Sequence, residues 1–471
     1  MNRIIPLVLA VALFMENMDS TVIATSLPAI AIDIDTSPIA LKLALTAYLV
    51  SLAIFIPVSG WMADRFGARN IFRTAILVFM AGSVACAASH SLTAFVASRF
   101  LQGMGGAMMT PVGRLVLVRA TPKSELVAAM SWLSIPALVG PLVGPPVGGF
   151  ITTYLSWHWI FLINVPIGIL GIWLASRFLP KTPAMATPRL DVAGFILSGV
   201  AASGVVFGLS VMGLAALPPY VGIVTTAVGL LSGALYLRHA RRAPNPLLAL
   251  GLFDNQIFRA CVFGGGLFRI GIGAVPFLLP LMLQIGFGLT PFQSGTITFV
   301  SAIGAIGMKL VTTRVFRLGG FRTVLVLGSL VSAASVGING LFTPETPYAL
   351  ILAVLLAGGF LRSMFFTGIN ALTYAEISPE DTSKATPIAA VAQQLSIALG
   401  VAVAGGILET STHFHGGVLT LADFHVAFFI VAAISALAAI WFVRLAPDAG
   451  SAVSGHGKAA SAAVEPVRPS R

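Results

Sequence analysis

Charge is what this chain has least of: Asp, Glu, Lys and Arg make up 9% of its 471 residues, against 57% hydrophobic ones. With a mean hydropathy of +0.97 there is too little polar surface to cover a soluble body of this size, so its solvent is lipid. Cysteine is nearly absent as well. Cys86 and Cys261 lie inside apolar runs far apart in sequence, which excludes a disulfide framework and a cysteine metal cluster and leaves them as packing residues. No Gly-x-x-x-x-Gly-Lys-Ser/Thr loop occurs, so nucleotide-driven pumping is disfavoured. The histidines stand mostly in predicted loops without ligand spacing, and no nucleophile is set beside a base, so neither a metal site nor an enzyme is expected. The formal charge is +11, but the basic residues are scattered over many short loops instead of forming one stripe, which argues against nucleic acid as a partner.

What fills the chain is a series of apolar runs of about 20 residues or more. Backbone in hydrocarbon is satisfied only by helices or closed barrels, and these runs are too long for barrel strands of ~10 alternating residues. The expected fold is an all-α polytopic membrane protein. The runs fall at about 5–29, 39–62, 71–89, 93–117, 125–152, 158–178, 190–213, 218–237, 257–283, 291–313, 322–342, 347–373, 386–408 and 422–443, which makes fourteen transmembrane helices. The first begins behind one basic residue, Arg3, but its length and its acids Glu16 and Asp19 favour a retained helix over a signal peptide.

If the amino terminus is cytoplasmic, the inner loops receive nearly all loop arginines and lysines, and the outer loops only Lys42. Asp33, Asp35, Glu345, Glu409, Asp423, His90, His413, His415 and His425 then fall outside. Orientation follows Lys and Arg, so both termini are read as cytoplasmic in a multi-pass protein of the bacterial inner membrane. Proline- and arginine-rich linkers at 179–189 and 238–256 set off two helices that carry no embedded charge. The expected organisation is a six-helix bundle at 1–178, two inserted helices with their linkers at 179–256, and a second six-helix bundle at 257–444. Residues 445–471, rich in Ala, Ser, Gly and Pro, read as a disordered cytoplasmic tail.

The densest group of charges between two apolar runs is Gly60-Trp-Met-Ala-Asp64-Arg65-Phe-Gly67-Ala-Arg69-Asn70. Glycines there permit tight turns, and Asp64 at a helix end can cap another helix and pair with arginines. The loop is either a charge latch that favours one facing of a transporter or a positive-inside loop with a helix cap. Its spacing, Gly-x-x-x-Asp-Arg-x-Gly-x-Arg, resembles the signature between the second and third helices of the major facilitator superfamily of secondary transporters. A weaker echo, without the acid, stands at Arg317-Leu-Gly-Gly-Phe-Arg322, as repeat-derived halves would give.

Further segments narrow the resemblance. Met18-Asp-Ser-Thr-Val-Ile-Ala-Thr-Ser-Leu-Pro28 is similar to the first-helix signature of the fourteen-helix drug:proton antiporters, the EmrB/QacA-like family, and Pro136-Ala-Leu-Val-Gly-Pro-Leu-Val-Gly-Pro-Pro-Val-Gly-Gly149 to that family's fifth-helix antiporter signature. Trp157 to Gly168 resembles the start of its sixth helix. Arg99-Phe-Leu-Gln-Gly103, Gly106 to Arg114 and Leu283 to Gly286 point to the MdtD-like branch of multidrug resistance transporters. The likeness implies two six-helix bundles plus two inserted helices, and proton-coupled exchange. Two departures are plain: Ala24 stands where the family usually has Asn, and Glu16 is an acid the signature does not call for.

In the fifth helix, Gly140, Gly144, Gly148 and Gly149 allow close packing, while Pro136, Pro141, Pro145 and Pro146 remove donors and bend the helix. By resemblance this segment seals the halves against ion leak and marks antiport; a generic small-residue packing face is the other reading. Embedded charges cost roughly 2.5–3.5 kcal/mol each on insertion scales, so each is a candidate for function. Six qualify here: Glu16, Asp19, Arg99, Arg114, Arg269 and Arg362. Asp19 lies ~15 Å below the outer end of its helix and Arg99 ~9 Å below that of its own, close enough in depth to pair. A carboxylate that is alternately beside an arginine and in water changes its proton affinity, which coupling requires. Asp19 is the first candidate for proton coupling and Glu16 the second, with Arg99 as partner; a permanent structural pair is the competing reading. Arg269 and Arg362 either bind anionic groups in a cavity or bond helix carbonyls. Gln284, Asn370 and Gln393 are further cavity candidates, though each taken singly reads more readily as a helix-to-helix hydrogen bond.

The sequence thus reads as a transporter, not an enzyme, that exchanges protons for small organic molecules across the bilayer by alternating access. Its energy source is the proton gradient, with no cofactor, and a monomer is compatible with it. The alternative is an exporter of a dedicated metabolite or organic anion.

Overall fold

The computed structural model describes residues 4–122, 125–181, 185, 187, 189–212, 214, 217–378, 381–415, 417–454 and 456; for 126–128, 131, 134–138, 383, 452 and 454 it describes backbone only. Among the described residues all regular structure is helical. The long helices are α1 (Ile4–Val22), α2 (Lys42–Phe66), α3 (Ala68–Ala87), α4 (Leu92–Ala120), α5 (Leu126–Tyr154), α6 (Asn164–Phe178) and α7 (Val192–Val211). They continue with α8 (Pro219–Ala240), α9 (Gln256–Leu281), α10 (Pro291–Lys309), α11 (Thr312–Asn339), α12 (Tyr348–Thr373), α13 (Thr382–Phe414) and α14 (Leu421–Ala436). Among the described residues, eleven helical segments are long and apolar enough to cross a membrane; α4, α5 and α10 are the long helices outside that set. Arginines at 99, 114 and 119 in α4, and a run of hydroxyls and an amide from Gln293 to Ser301 in α10, dilute their apolar character.

The helix ends follow local chemistry. Ser91 caps α4 through the Ala94 N–H, Asn255 caps α9 through Phe258 N–H at 2.9 Å, and a reciprocal Thr290–Gln293 capping box starts α10. Pro219 stands in the first turn of α8, where its missing donor costs nothing. Gly67, at φ 86°, lets the chain turn from α2 straight into α3. Gly60, by contrast, lies inside α2 in helical conformation, so it makes no tight turn. The echo at 317–322 is not a simple loop either. Arg314, Arg317 and Leu318 are helical within α11, and the break is confined to Gly320, at φ 65°.

Successive helices run in alternate directions, so one end of the bundle carries Asp64, Arg119 and Arg177, and the other Lys42, His158 and Glu409. Helix α1 packs on α5 and α6, α4 on α2 and α3, α9 on α13 and α14, and α12 on α10 and α11. Two pairs join the first six helices to the last six: α5 with α10, and α2 with α13. Helices α7 and α8 form a hairpin through facing glycines, Gly204 against Gly229, and α7 also leans on the junction of α2 and α13 through Val50, Val206 and Ala398. Asp191 caps α7 by accepting from Gly194 N–H at 2.8 Å and also takes His239 at 2.7 Å and Leu247 N–H at 3.3 Å. Burial alone would raise its pKa; these hydrogen bonds outweigh that and hold the carboxyl below the usual range. Residues 445–454, expected to begin a disordered tail, instead pack: Leu445 and Ala449 are buried in the core and Ser451–Ser454 form a helical turn. Apolar side chains hidden among polar neighbours outweigh the Gly, Ser and Ala composition there. Residues 455 and 457–471 lie outside the described set.

Candidate coupling and transport site

Asp19 is completely buried, and three side chains from two helices satisfy its carboxylate. Arg99 of α4 donates to its Oδ2 at 2.7 Å; Gln102, one turn along, donates to Oδ1 at 2.8 Å; Asn164 of α6 donates to Oδ1 at 2.9 Å. Ser83 of α3 receives bonds from both amides, at 2.8 and 3.2 Å, and Gln102 Oε1 accepts from Arg99 in turn. The Arg99 guanidinium also sits 4.3 Å from the Tyr48 ring centre of α2. One acid thus gathers five helices of the first bundle. Helix packing makes this depth reachable: at Gly105 a Cβ would collide with the backbone of Ala75 and Phe79, so only glycine lets α3 and α4 come this close.

Glu16, one turn before Asp19, faces another neighbour, accepting from the Thr110 hydroxyl of α4 at 2.8 Å, and is only half-buried. Arg114, one turn beyond Thr110 on α4, has an exposed side chain. The glycine- and proline-rich segment of α5 lies between α1 and α10. Gly140, Gly144 and Gly148 face α1 at Met18, Thr21 and Val22, while Gly149 lies on Pro291 and Phe292 of α10 and the Pro145 carbonyl lies on Gly295. Helix α5 continues unbroken across Pro141, Pro145 and Pro146. Pro136 falls among the residues whose side chains are outside the described set.

The hydrogen bonds and ion pairs described between the first six and the last six helices all lie toward the Lys42 end. Lys42, wholly buried at the start of α2, donates to Glu409 of α13 at 2.5 Å. Phe292 N–H of α10 donates to Thr153 Oγ1 at 3.1 Å, and Gln284 Nε2 donates to the Thr25 carbonyl at 3.0 Å. Gln284 is therefore a seam residue and not a cavity residue: the π-helical turn Met282–Gly286 at the end of α9 turns its amide onto α1's extension. At the opposite end Asp64 pairs with Arg119 of α4 at 2.6 Å, and its carbonyl accepts from Met185 N–H of the linker at 2.8 Å. Arg69 donates to the Ser176 carbonyl of α6. Arg65 is exposed, so the latch residues split between α4, α6 and solvent.

In the second bundle Arg362 of α12 donates to Ser301 Oγ of α10 at 2.9 Å. Arg269 of α9 is buried, 5.6 Å from the Phe366 ring centre, and forms no hydrogen bond among the described residues. Neither arginine bonds a helix carbonyl among those residues. Asn370 is exposed and Gln393 half-buried.

A sequence profile described as the Major Facilitator Superfamily matches residues 9–253 and 261–469. The chain belongs to the major facilitator superfamily. Within it, this chain is 38% identical over 451 residues to a protein of Klebsiella pneumoniae subsp. pneumoniae named "Putative multidrug resistance protein MdtD", covering 94% of this chain and 95% of that one. A protein of the same name from Pectobacterium atrosepticum is 36% identical over 446 residues, covering 94% and 95%. Among solved structures, a D-xylose-proton symporter superposes with a TM-score of 0.69 at 16% identity, covering 95% of this chain and 98% of that one. A POT family transporter in complex with 5-aminolevulinic acid gives 0.69 at 14% identity, covering 92% and 94%. At such identity the two share the superfamily's fold and nothing finer.

As a superfamily transporter and not an enzyme, the chain needs partners for its embedded charges, and sequence reasoning found some of them. The Asp19–Arg99 pair was reachable from helix depth. The parts of Tyr48, Ser83 and Asn164 in that network, the Thr110 contact of Glu16, the Arg119 contact of Asp64 and the Lys42–Glu409 bridge were not. A usable signal for the last was present: Lys42 is the lone base on a side with several acids, and Glu409 stands inside the apolar end of a helix.

Proposed function

We propose that the chain is a proton-coupled exporter of small organic molecules, working by alternating access through fourteen membrane helices. Residues 1–178 and 257–444 form the two rocking bundles, 179–256 carry the inserted pair, and both termini face the cytoplasm of a bacterial inner membrane. The orientation rests on the asymmetry of arginine and lysine between the two ends. The name borne by the relatives supports drug-like substrates. No cofactor is required beyond the proton gradient, and a single copy suffices.

The observation that carries this reading is the buried Asp19–Arg99 pair at 2.7 Å beside an interface between the bundles whose described hydrogen bonds and ion pair lie at the Lys42 end. Opening that seam exposes the space beside α1 and α4 to water. A proton reaching Asp19 neutralises it and releases Arg99, and the network of Gln102, Ser83 and Asn164 then has to repack. Two packings of one network with different proton occupancy are the two-state element that coupling needs. Glu16, half-buried on the same helix, is the relay acid next to it. Helix α5, fitted between α1 and α10 by its glycines, keeps the halves tight while they rock, and Asp64, with Gly67 and the arginines Arg65, Arg69 and Arg119, biases the resting state.

In cells, expression should lower accumulation of tetraphenylphosphonium, and an uncoupler should abolish the effect. The double variant Asp19→Asn/Arg99→Gln should reach the membrane yet not lower accumulation. Proton-dependent efflux retained in that variant would remove the pair from the coupling path.

A further inference from the structure

The second bundle carries cations in its apolar depth without anions to match. From Gln256 to Thr373 the only acid is Glu345, in the turn before α12, and the next helix has Glu409 at its far end, already engaged with Lys42. Arg269 and Arg362 nevertheless lie mid-helix, each at a cost that a lipid-facing or fully apolar position would not tolerate. Phe366 neighbours both. Phe366 is one turn from Arg362 on α12, and its ring lies 5.6 Å from the Arg269 guanidinium of α9. Arg362, Phe366 and Asn370 form a stripe at i, i+4 and i+8 that is partly open rather than packed. A stripe holding Arg and Asn does not face hydrocarbon, so it borders the watery space between the bundles. Arg269, 6% exposed, leaves its Nε without a partner, and Arg362 spends one donor on the neutral Ser301 hydroxyl.

We infer that Arg269 and Arg362, on either side of Phe366, form the binding site for an organic anion with an aromatic or otherwise flat apolar body. Carboxylate or sulfonate oxygens take the two guanidinium forks, and the body lies on the Phe366 ring, itself held by Phe268 at 5.8 Å. This rests on the export reading above and specifies its substrate class.

The test uses tritiated naphthalene-2-sulfonate in energised inverted vesicles, with tetraphenylphosphonium-driven dissipation of the pH gradient measured in the same vesicles. The unsubstituted chain should accumulate the sulfonate saturably. Arg269→Gln and Arg362→Gln should each raise its KM about tenfold or more, as loss of a charge-assisted hydrogen bond does, while the maximal uptake rate falls far less. Arg269→Lys should recover part of the loss. Gradient dissipation by the cation with no saturable sulfonate uptake overturns the anion site but leaves proton-coupled export standing; no response to either compound overturns both. Should a Gln variant fail to accumulate in the membrane, the unsubstituted chain still decides: saturating sulfonate should slow phenylglyoxal modification of Arg362, and unchanged modification refutes the site. Protection by phosphatidylglycerol but not by the sulfonate would make the occupant a lipid headgroup and likewise overturn it.

Discussion

Replacing Lys42 by Met should loosen the seam between the bundles. The substitution keeps the apolar stem, which runs past Gly405 of α13, where even a Cβ would strike the Lys42 Cδ. It removes the ammonium 2.5 Å from Glu409. Loss of one partner from a fully buried pair costs about 3–5 kcal/mol, because the other charge is stranded. Glu409 retains 10% exposure, so water recovers part of that, and roughly 2 kcal/mol is the reasonable share. That corresponds to about a 30-fold shift in the equilibrium between closed and open seams. A cysteine in place of Thr25, whose carbonyl takes the Gln284 amide across the seam, reports it: labelling by a membrane-impermeant maleimide should accelerate by the same factor in Lys42→Met. Glu409→Gln should act in the same direction, and the exchange Lys42→Glu/Glu409→Lys should restore slow labelling. Equal labelling rates in the single variants and the parent would refute the bridge as the element that holds this end shut.

Asp19→Asn strands the Arg99 guanidinium among Tyr48, Phe161 and Gln102, so thermal unfolding in detergent should reveal a loss of about 3–5 kcal/mol, and adding Arg99→Gln should return most of it without restoring efflux. Asp64→Asn breaks a pair whose side chains are 30% and 32% exposed, worth about 0.2–1 kcal/mol, so the melting temperature should barely move while the transport rate falls. If both move together, the pair is structural. Asp191 has a lowered folded pKa, so the stability it supplies is complete above the ordinary carboxylate value of about 3.9 and is lost as pH falls through the lower folded value. At neutral pH, Asp191→Ala should therefore speed tryptic cleavage after Arg241 and Arg242 in the linker that Leu247 anchors, and unchanged cleavage would remove Asp191 as the hairpin's tether.

Most of the helices could be located from the sequence because a lipid solvent forces long apolar runs, and their punctuation is chemical: Ser91, Asn255 and Thr290 cap starts, and Gly67 ends one helix as the next begins. What could not be read came from tertiary contacts. Gln284 reads more readily as a helix-to-helix amide, and it is one, but the π turn that aims it at Thr25 leaves no mark in the sequence. Residues 445–454 have the composition of a tail, and only their apolar minority, Leu445 and Ala449, told otherwise. In the site, depth along two helices brought Asp19 and Arg99 together, since rise per residue is fixed. The contacts of Asn164 with Asp19, and of Ser83 with the two amides, depend on rotation and crossing of helices that no single-chain pattern encodes. The charge imbalance of the second bundle, in contrast, is visible in the sequence, and the structure adds the Phe366 ring beside Arg269 and one turn from Arg362.

The most direct test of the account is a preformed pH gradient in energised inverted vesicles containing the chain, challenged with a panel of cationic and anionic compounds. Dissipation by at least one compound, saturable and absent in Asp19→Asn/Arg99→Gln, is the predicted result. A gradient that no compound disturbs, or that the double variant dissipates as well as the parent does, would contradict proton exchange through Asp19.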